Sequence, residues 1–214
     1  LKGIPNLAEE LNIVRDLFIL EYTGGKLHIP TISTANSVKL IAEAKKKGLD
    51  VSCSVAIHNL CFTDGTLTEF DSHYKLMPPL RTQSDRKALI KGLKDGTIDF
   101  VTTDHRPMDI EHKRVEFDNA SYGTIGLESA FGMLNGIFDL DTTISLLTKG
   151  RERYGIEAPR LTIGENAVLT LFDPDQEYTF EEQHILSNSK NSCFLGSKLR
   201  GKVYGVVTNN QIIN

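Results

Sequence analysis

The sequence predicts an α/β protein: the second half of a (β/α)8 barrel of the TIM type, followed by a small β-rich appendage. Short apolar runs alternate with helix-length amphipathic segments as far as residue 140, which is the pattern of parallel βαβ units. Only about three strands occur in that stretch, whereas a closed barrel takes ~250 residues. After Pro159 helical periodicity gives way to strand-like runs. We therefore expect a partial barrel at residues 1–160 and a β-rich subdomain at residues 161–214.

Periodicity and breaker residues predict the individual elements. A helix is expected over residues 7–21, where the apolar positions at near-helical spacing are Leu7, Leu11, Val14, Leu17, Phe18 and Leu20. The elements that follow are strand 27–29, a helix capped within Ser33-Thr34-Ala35-Asn36, strand 51–57, loop 63–83, helix 84–95, strand 98–103, loop 104–124, helices 127–137 and 141–149, and strands 167–172 and 201–207. The two long loops are expected to carry function.

Composition narrows the class of protein. A net charge of −4 argues against a nucleic-acid partner. No apolar run approaches the ~20 residues that span a membrane, so no membrane role is expected. Cys53, Cys61 and Cys193 form no CxxC pair and are interpreted as reduced thiols of a cytoplasmic protein. No signal peptide is recognisable, and because the first residue is not Met, either processing has removed residues or the sequence is a piece of a longer chain.

The stretch from Thr102 to Met108 holds the strongest candidate for chemistry, because Asp104 directly follows a buried strand. A desolvated carboxylate is costly without a partner. In β/α barrels the carboxyl ends of strands carry the catalytic residues. Asp104 is therefore a candidate catalytic residue, with a helix-cap or loop aspartate as the alternative.

Seven sequence blocks in order carry a resemblance to a known family. They are Leu1-Lys2-Gly3-Ile4-Pro5, Ile32-Ser33-Thr34, His58-Asn59-Leu60, Lys75 to Arg81, Asp104 to Met108, Gly123 to Glu128, and Asn191 to Gly196. Each block alone is weak, but together they resemble the C-terminal half of type I dihydroorotases of the amidohydrolase superfamily. The resemblance implies a metal-dependent hydrolase barrel that interconverts carbamoyl-aspartate and dihydroorotate in pyrimidine biosynthesis, with Zn2+ activating a water.

The resemblance also implies roles for particular residues. Asp104 corresponds to the catalytic aspartate that binds metal and shuttles the proton. His58 corresponds to a metal-binding histidine, with a hydrogen-bonded strand-end histidine as the alternative. Tyr122 and Gly123 fall where substrate is bound. The family's early His-x-His pair and carboxylated lysine have no counterpart here, so the 214 residues alone should not catalyse the reaction.

Three metal or substrate positions depart from the family pattern. Thr31 replaces a metal-binding histidine, and threonine is a poor zinc ligand. Met77 and Met108 replace an asparagine and a histidine that would contact the substrate, and methionine offers only a weak sulfur acceptor. By strand alternation His28 should point to the opposite face from Thr31, about 10 Å away, and so should not rescue the lost ligand. Arg106 adds bulk beside Asp104 where the family has a small residue.

Other polar residues have more ordinary interpretations. His105 is expected to support the loop. Arg81 is either a salt-bridged loop anchor or a substrate group, and Lys75 is retained from the family block. Lys113 and Arg114 are expected to be surface charges.

Two functions remain open from the sequence. One is a dihydroorotase or related cyclic amidase that works with a reduced metal set. The other is a catalytically silent homologue that serves as a structural partner of aspartate carbamoyltransferase. Open sheet edges of a half barrel also predict self-association, so a homo-oligomer is expected.

Overall fold

The structure, a computed structural model, describes residues 3–209 and 211–213. Leu1 and Lys2, the start of the first motif block, lie outside these residues. The first unit contains α1 (Asn6–Thr23), β1 (Leu27–Ile29), α2 (Ala35–Lys46), β2 (Val51–Ala56), α3 (Ile57–Cys61), α4 (Gln83–Lys94), β3 (Phe100–Thr102), α5 (Leu127–Asn135), α6 (Leu140–Thr148) and α7 (Gly150–Arg153). The second unit contains β4 (Leu169–Thr179), β5 (Lys198–Thr208) and β6 (Gln211–Ile213).

The first unit is built on a parallel sheet in the order β1-β2-β3. Strand β2 is buried along its whole length, as expected of a central parallel strand with both faces covered. Its Cys53 and Val55 belong to the core with Ile41 and Leu89 of the flanking helices. Its Ser52 and Ser54 instead meet the ring of His28 on β1. The alternation therefore separates an apolar helix-facing side from a polar side.

Helix α1 forms where periodicity predicts it, but its buried face differs from the expected one. Ile13, Leu17 and Leu20 are buried. Leu7, Leu11 and Phe18 are exposed by 57%, 59% and 67%. Apolar residues surround much of this helix, so spacing alone did not identify the side that packs against α2.

The segments predicted as long loops contain short helical turns. Helix α3 begins immediately after β2, so the predicted strand 51–57 ends at Ala56. Residues Asp64–Glu69, Ser72–Tyr74 and Ile110–His112 form 3-10 turns. Such single turns lack the long amphipathic period from which a helix is predicted.

The second unit is an antiparallel sheet in the order β4-β5-β6. Strand β4 continues to Thr179, beyond the predicted end at residue 172. Its polar residues gave no apolar alternation, and Pro174 lies where the register with β5 shifts. No helix among the described residues is long and apolar enough to cross a membrane.

Candidate functional site

Three of the predicted positions occupy equivalent places, each two residues beyond the end of a parallel strand. Thr31 follows β1, His58 follows β2 and Asp104 follows β3. Thr31 and Asp104 both have positive φ, 47° and 44°. This backbone costs a non-glycine residue about 1–3 kcal/mol and is concentrated at functional sites. The carboxyl ends of β2 and β3 are adjacent, since Ala56 pairs with Thr102.

His58 is completely buried, and neither ring nitrogen has a hydrogen-bond partner among the described residues. Burial, together with the positive charge of Arg106, lowers the pKa of His58 to about 3. The imidazole is therefore neutral at physiological pH, and the lone pair on one ring nitrogen can accept a hydrogen bond or bind a cation.

Asp104 has one oxygen engaged and one left over. Its Oδ1 accepts a hydrogen bond of 3.2 Å from Arg106 Nε. Its Oδ2 is buried with no partner among the described residues. Burial raises the pKa of Asp104, and Arg106 opposes the rise. A carboxylate held this way is a candidate acid or base.

Thr31 and His28 do not complete a ligand set. The Thr31 backbone N–H donates to Ser54 Oγ at 3.3 Å. Both ring nitrogens of His28 face serine hydroxyls, at 2.8 Å from Ser52 and 3.3 Å from Ser54, and the ring stacks on Phe100. Simple strand alternation does not apply between His28 and Thr31, because β1 ends at Ile29 and Thr31 has positive φ. His28 fails as a substitute ligand because its nitrogens are already engaged.

The side chains at this site do not amount to a metal centre by themselves. The orphaned atoms of His58 and Asp104 suit a cation. Zinc needs three or four protein donors, however. Among the described residues no group of three His, Cys, Asp or Glu side chains could hold a metal ion. This chain therefore offers two donors and a threonine.

Gly123 packs against Arg106 and Met108, two residues that differ from those the family resemblance implies. A Cβ on Gly123 would stand 2.8 Å from both Arg106 Cβ and Met108 Cε, and Gly123 has a φ of +129°. Its N–H donates to the Lys75 carbonyl at 2.9 Å. The neighbouring Tyr122 is 40% exposed, and its ring lies 4.8 Å from Lys75 Nζ. Arg106, Met108 and Gly123 thus share one surface, while Met77 is half-buried on its own loop.

Lys113 is buried, so its interpretation as a surface charge is wrong. It is 2% exposed, and its Nζ donates to the carbonyls of Ser72 (2.8 Å), Ser121 (2.9 Å) and Lys75 (3.4 Å). Lys75 in turn donates to the carbonyls of residues 117 and 118. The two lysines clamp the two long loops together. Arg114 is exposed, as expected.

The C-terminal β-rich appendage also supports the site through hydrogen bonds, and the sequence did not predict these contacts. Asn191 Nδ2 donates to the Arg106 carbonyl at 3.1 Å, and the Asn191 carbonyl accepts from Ile125 N and Thr124 Oγ1. Ser189 Oγ accepts a hydrogen bond from the Met108 N–H and donates one to the Met108 carbonyl. The only available signal was the Asn191-Ser192-Cys193 block, which suggested relatedness but no contact.

The remaining predicted residues have structural partners. His105 Nδ1 accepts from the N–H groups of Gly126 and Leu127, which supports the loop. Arg81 is buried and donates to the Ile4 carbonyl at 2.6 Å and to Ser33 Oγ at 3.1 Å. These contacts are those of an anchor rather than of a group facing a ligand.

The cleft of about 850 Å³ between residues 107–114 and 188–191 is not this site. Met108 and Lys113 line it, but His58, Asp104, Tyr122 and Gly123 do not.

The fold matches about half of several solved structures. L-Hydantoinase (dihydropyrimidinase) from Arthrobacter aurescens superposes with a TM-score of 0.88 at 24% identity, covering 98% of this chain and 49% of that chain. A D-hydantoinase structure gives 0.86 at 23% identity, with coverage of 98% and 49%. The inactive dihydroorotase-like domain of the Chaetomium thermophilum CAD-like multifunctional protein gives 0.67 at 22% identity, with coverage of 94% and 54%.

Sequence comparison finds similarity to dihydroorotases. The chain is 38% identical over 218 residues to a dihydroorotase of Caldanaerobacter subterraneus, covering 99% of the chain and 51% of the relative. It is 40% identical over 221 residues to that of Caldicellulosiruptor saccharolyticus, covering 100% and 51%. No family model matches the chain. The chain is a homologue of dihydroorotases, and it spans about half the length of the curated relatives it matches.

Proposed function

We propose that this chain supplies the C-terminal half of the barrel of a dihydroorotase-like cyclic-amide hydrolase, which interconverts carbamoyl-aspartate and dihydroorotate in the cytoplasm. The observation that carries the proposal is the position of His58 and Asp104 beyond the ends of two adjacent parallel strands, each with a buried polar atom that lacks a partner among the described residues. Catalytic residues of β/α barrels come from these strand ends.

Asp104 is the residue we assign to proton transfer. Its free Oδ2 can accept a proton from an attacking water and return it to the ring nitrogen that leaves. Burial raises the pKa of this carboxyl, which makes its carboxylate a stronger base. Gly123 is assigned to substrate binding because it packs against Arg106 and Met108, and Tyr122 is assigned with it as the adjacent, exposed residue.

The family's zinc is not assigned to residues of this chain. His58 and Asp104 provide two donors, and Thr31 provides none. No catalytic step is therefore derived through a metal bound here.

The same proposal divides the chain into a partial barrel at residues 1–160 and a separate subdomain at residues 161–214. Limited proteolysis that cuts near residue 160 would support this division, and cuts throughout both parts would contradict it.

The test is hydrolysis of dihydroorotate by the complete protein with zinc supplied. Three variants accompany the wild type: Asp104→Asn, Thr31→His, and Asp109→Asn as a control, because Asp109 is an exposed aspartate on the same loop. We expect Asp104→Asn to lower kcat by about 100-fold or more and the control to leave it unchanged.

Absence of activity in both the wild type and Thr31→His would contradict the proposal. The protein would then be better described as a catalytically silent homologue. Co-migration with aspartate carbamoyltransferase in size-exclusion chromatography would next be measured, since a structural partner of that enzyme is the alternative.

A further inference from the structure

Arg106 brings a positive charge to Asp104, one of the two candidate metal ligands. Its Nε lies 3.2 Å from Asp104 Oδ1. The guanidinium is therefore paired with one of the two candidate ligands.

The backbone of Arg106 is held firmly from both sides. Its N–H donates to the Thr124 carbonyl at 2.8 Å, and its carbonyl accepts from Asn191 Nδ2 at 3.1 Å. Its Cβ packs against Gly123 so closely that a Cβ at that glycine would lie 2.8 Å away. The backbone of Arg106 is thus held in place, and its half-exposed side chain reaches Asp104. Arg114 is also exposed, but among the described residues it forms no ion pair.

A divalent cation would be bound only weakly by His58 and Asp104. The described residues offer only two donors here, since Thr31 bonds through its backbone to Ser54 and its side chain is a hydroxyl. One carboxylate oxygen is already neutralised by a guanidinium, which always carries its charge. A second cation within a few ångströms of that guanidinium would be repelled.

We propose that Arg106 is an internal counter-ion that stands in for a metal cation beside His58 and Asp104, so that these two side chains hold no metal in this protein. The inference goes beyond the proposed function and does not depend on any substrate. A metal held by residues outside this chain would be unaffected by it.

The test measures zinc content and zinc affinity of the complete protein, purified with zinc, by metal analysis and chelator competition. We expect Asp104→Asn or His58→Gln to change affinity by less than about twofold in the wild-type background, because neither residue ligates. In a Thr31→His/Arg106→Ala background we expect additional zinc binding, which Asp104→Asn then weakens by about tenfold or more. The control protein carries Thr31→His/Arg114→Ala instead and should show no additional zinc binding.

Two results would overturn the inference. One is a loss of zinc affinity of about tenfold or more on Asp104→Asn in the wild-type background. The other is no gain of zinc or of a cobalt absorption band in the Thr31→His/Arg106→Ala protein. Asp104→Asn decides the matter if buried His58→Gln fails to fold, as judged by circular dichroism. Because no substrate is present, an inactive enzyme would contradict the proposed function without altering this result.

Discussion

Replacement of Lys113 by methionine offers a quantitative test of the loop clamp. Three carbonyls, those of Ser72, Ser121 and Lys75, accept from the Lys113 ammonium in the folded protein. Burial is the main cause that lowers the pKa of Lys113 from 10.5 to about 8. Methionine removes both the hydrogen bonds and the cost of the buried charge.

The sign of the pH dependence follows from the direction of this shift. Above the folded pKa of about 8 the native state releases the proton, while the unfolded chain keeps it up to about 10.4. The unfolded state then binds more protons, so stability rises with pH in this window. Between about pH 7 and about pH 9.5 the lysine contributes an increase of about 2 kcal/mol.

We therefore expect the loss of stability on Lys113→Met to be about 2 kcal/mol larger at about pH 9.5 than at about pH 7. Near neutral pH the broken hydrogen bonds, about 1 kcal/mol each, are partly offset by relief of the buried charge. Urea denaturation at both values measures the difference. Lys87→Met serves as the control, because Lys87 is an exposed lysine of α4. A difference that stays constant with pH would refute the reasoning.

Three further outcomes are expected. Gly201→Ala should destabilise the protein by about 2–4 kcal/mol in thermal unfolding, because Gly201 has a φ of +101° and a Cβ there would stand 2.6 Å from Phe131 Cε1; an unchanged midpoint would contradict this packing. Burial raises the pKa of Cys53 and Cys193 to about 12, so a thiol reagent should label them only after denaturation, and rapid labelling of the native protein would disprove their burial. The 214 residues in isolation should not hydrolyse dihydroorotate with zinc present, and turnover proportional to their concentration would show otherwise.

Much of the architecture could be predicted because local signals agreed with the fold. The side chains of Thr34 and Thr82 cap α2 and α4 by accepting hydrogen bonds from the backbone N–H groups of Ser37 and Asp85. Gly24 ends α1 with a positive φ of 69°. Such caps and breakers act within a few residues, so they are visible in the sequence. The polar β4 and the single 3-10 turns lack a comparable local signal.

The candidate site could be predicted only in part. Motif order located Thr31, His58 and Asp104, and all three lie just beyond strand ends. The surroundings could not be predicted in the same way. The contacts of Lys113 with Ser72 and of Asn191 with Arg106 join residues 41 and 85 positions apart.

The sequence by itself determined the residue types at the site: a threonine and two methionines where the family resemblance implies polar groups, and an aspartate with an arginine two residues later. The tertiary structure decided what those side chains can do. It paired Arg106 with Asp104, engaged both nitrogens of His28, and buried Lys113 among carbonyls. The physical reason is that burial and charge neutralisation depend on groups that other strands and loops bring within hydrogen-bond distance, and composition cannot specify those partners.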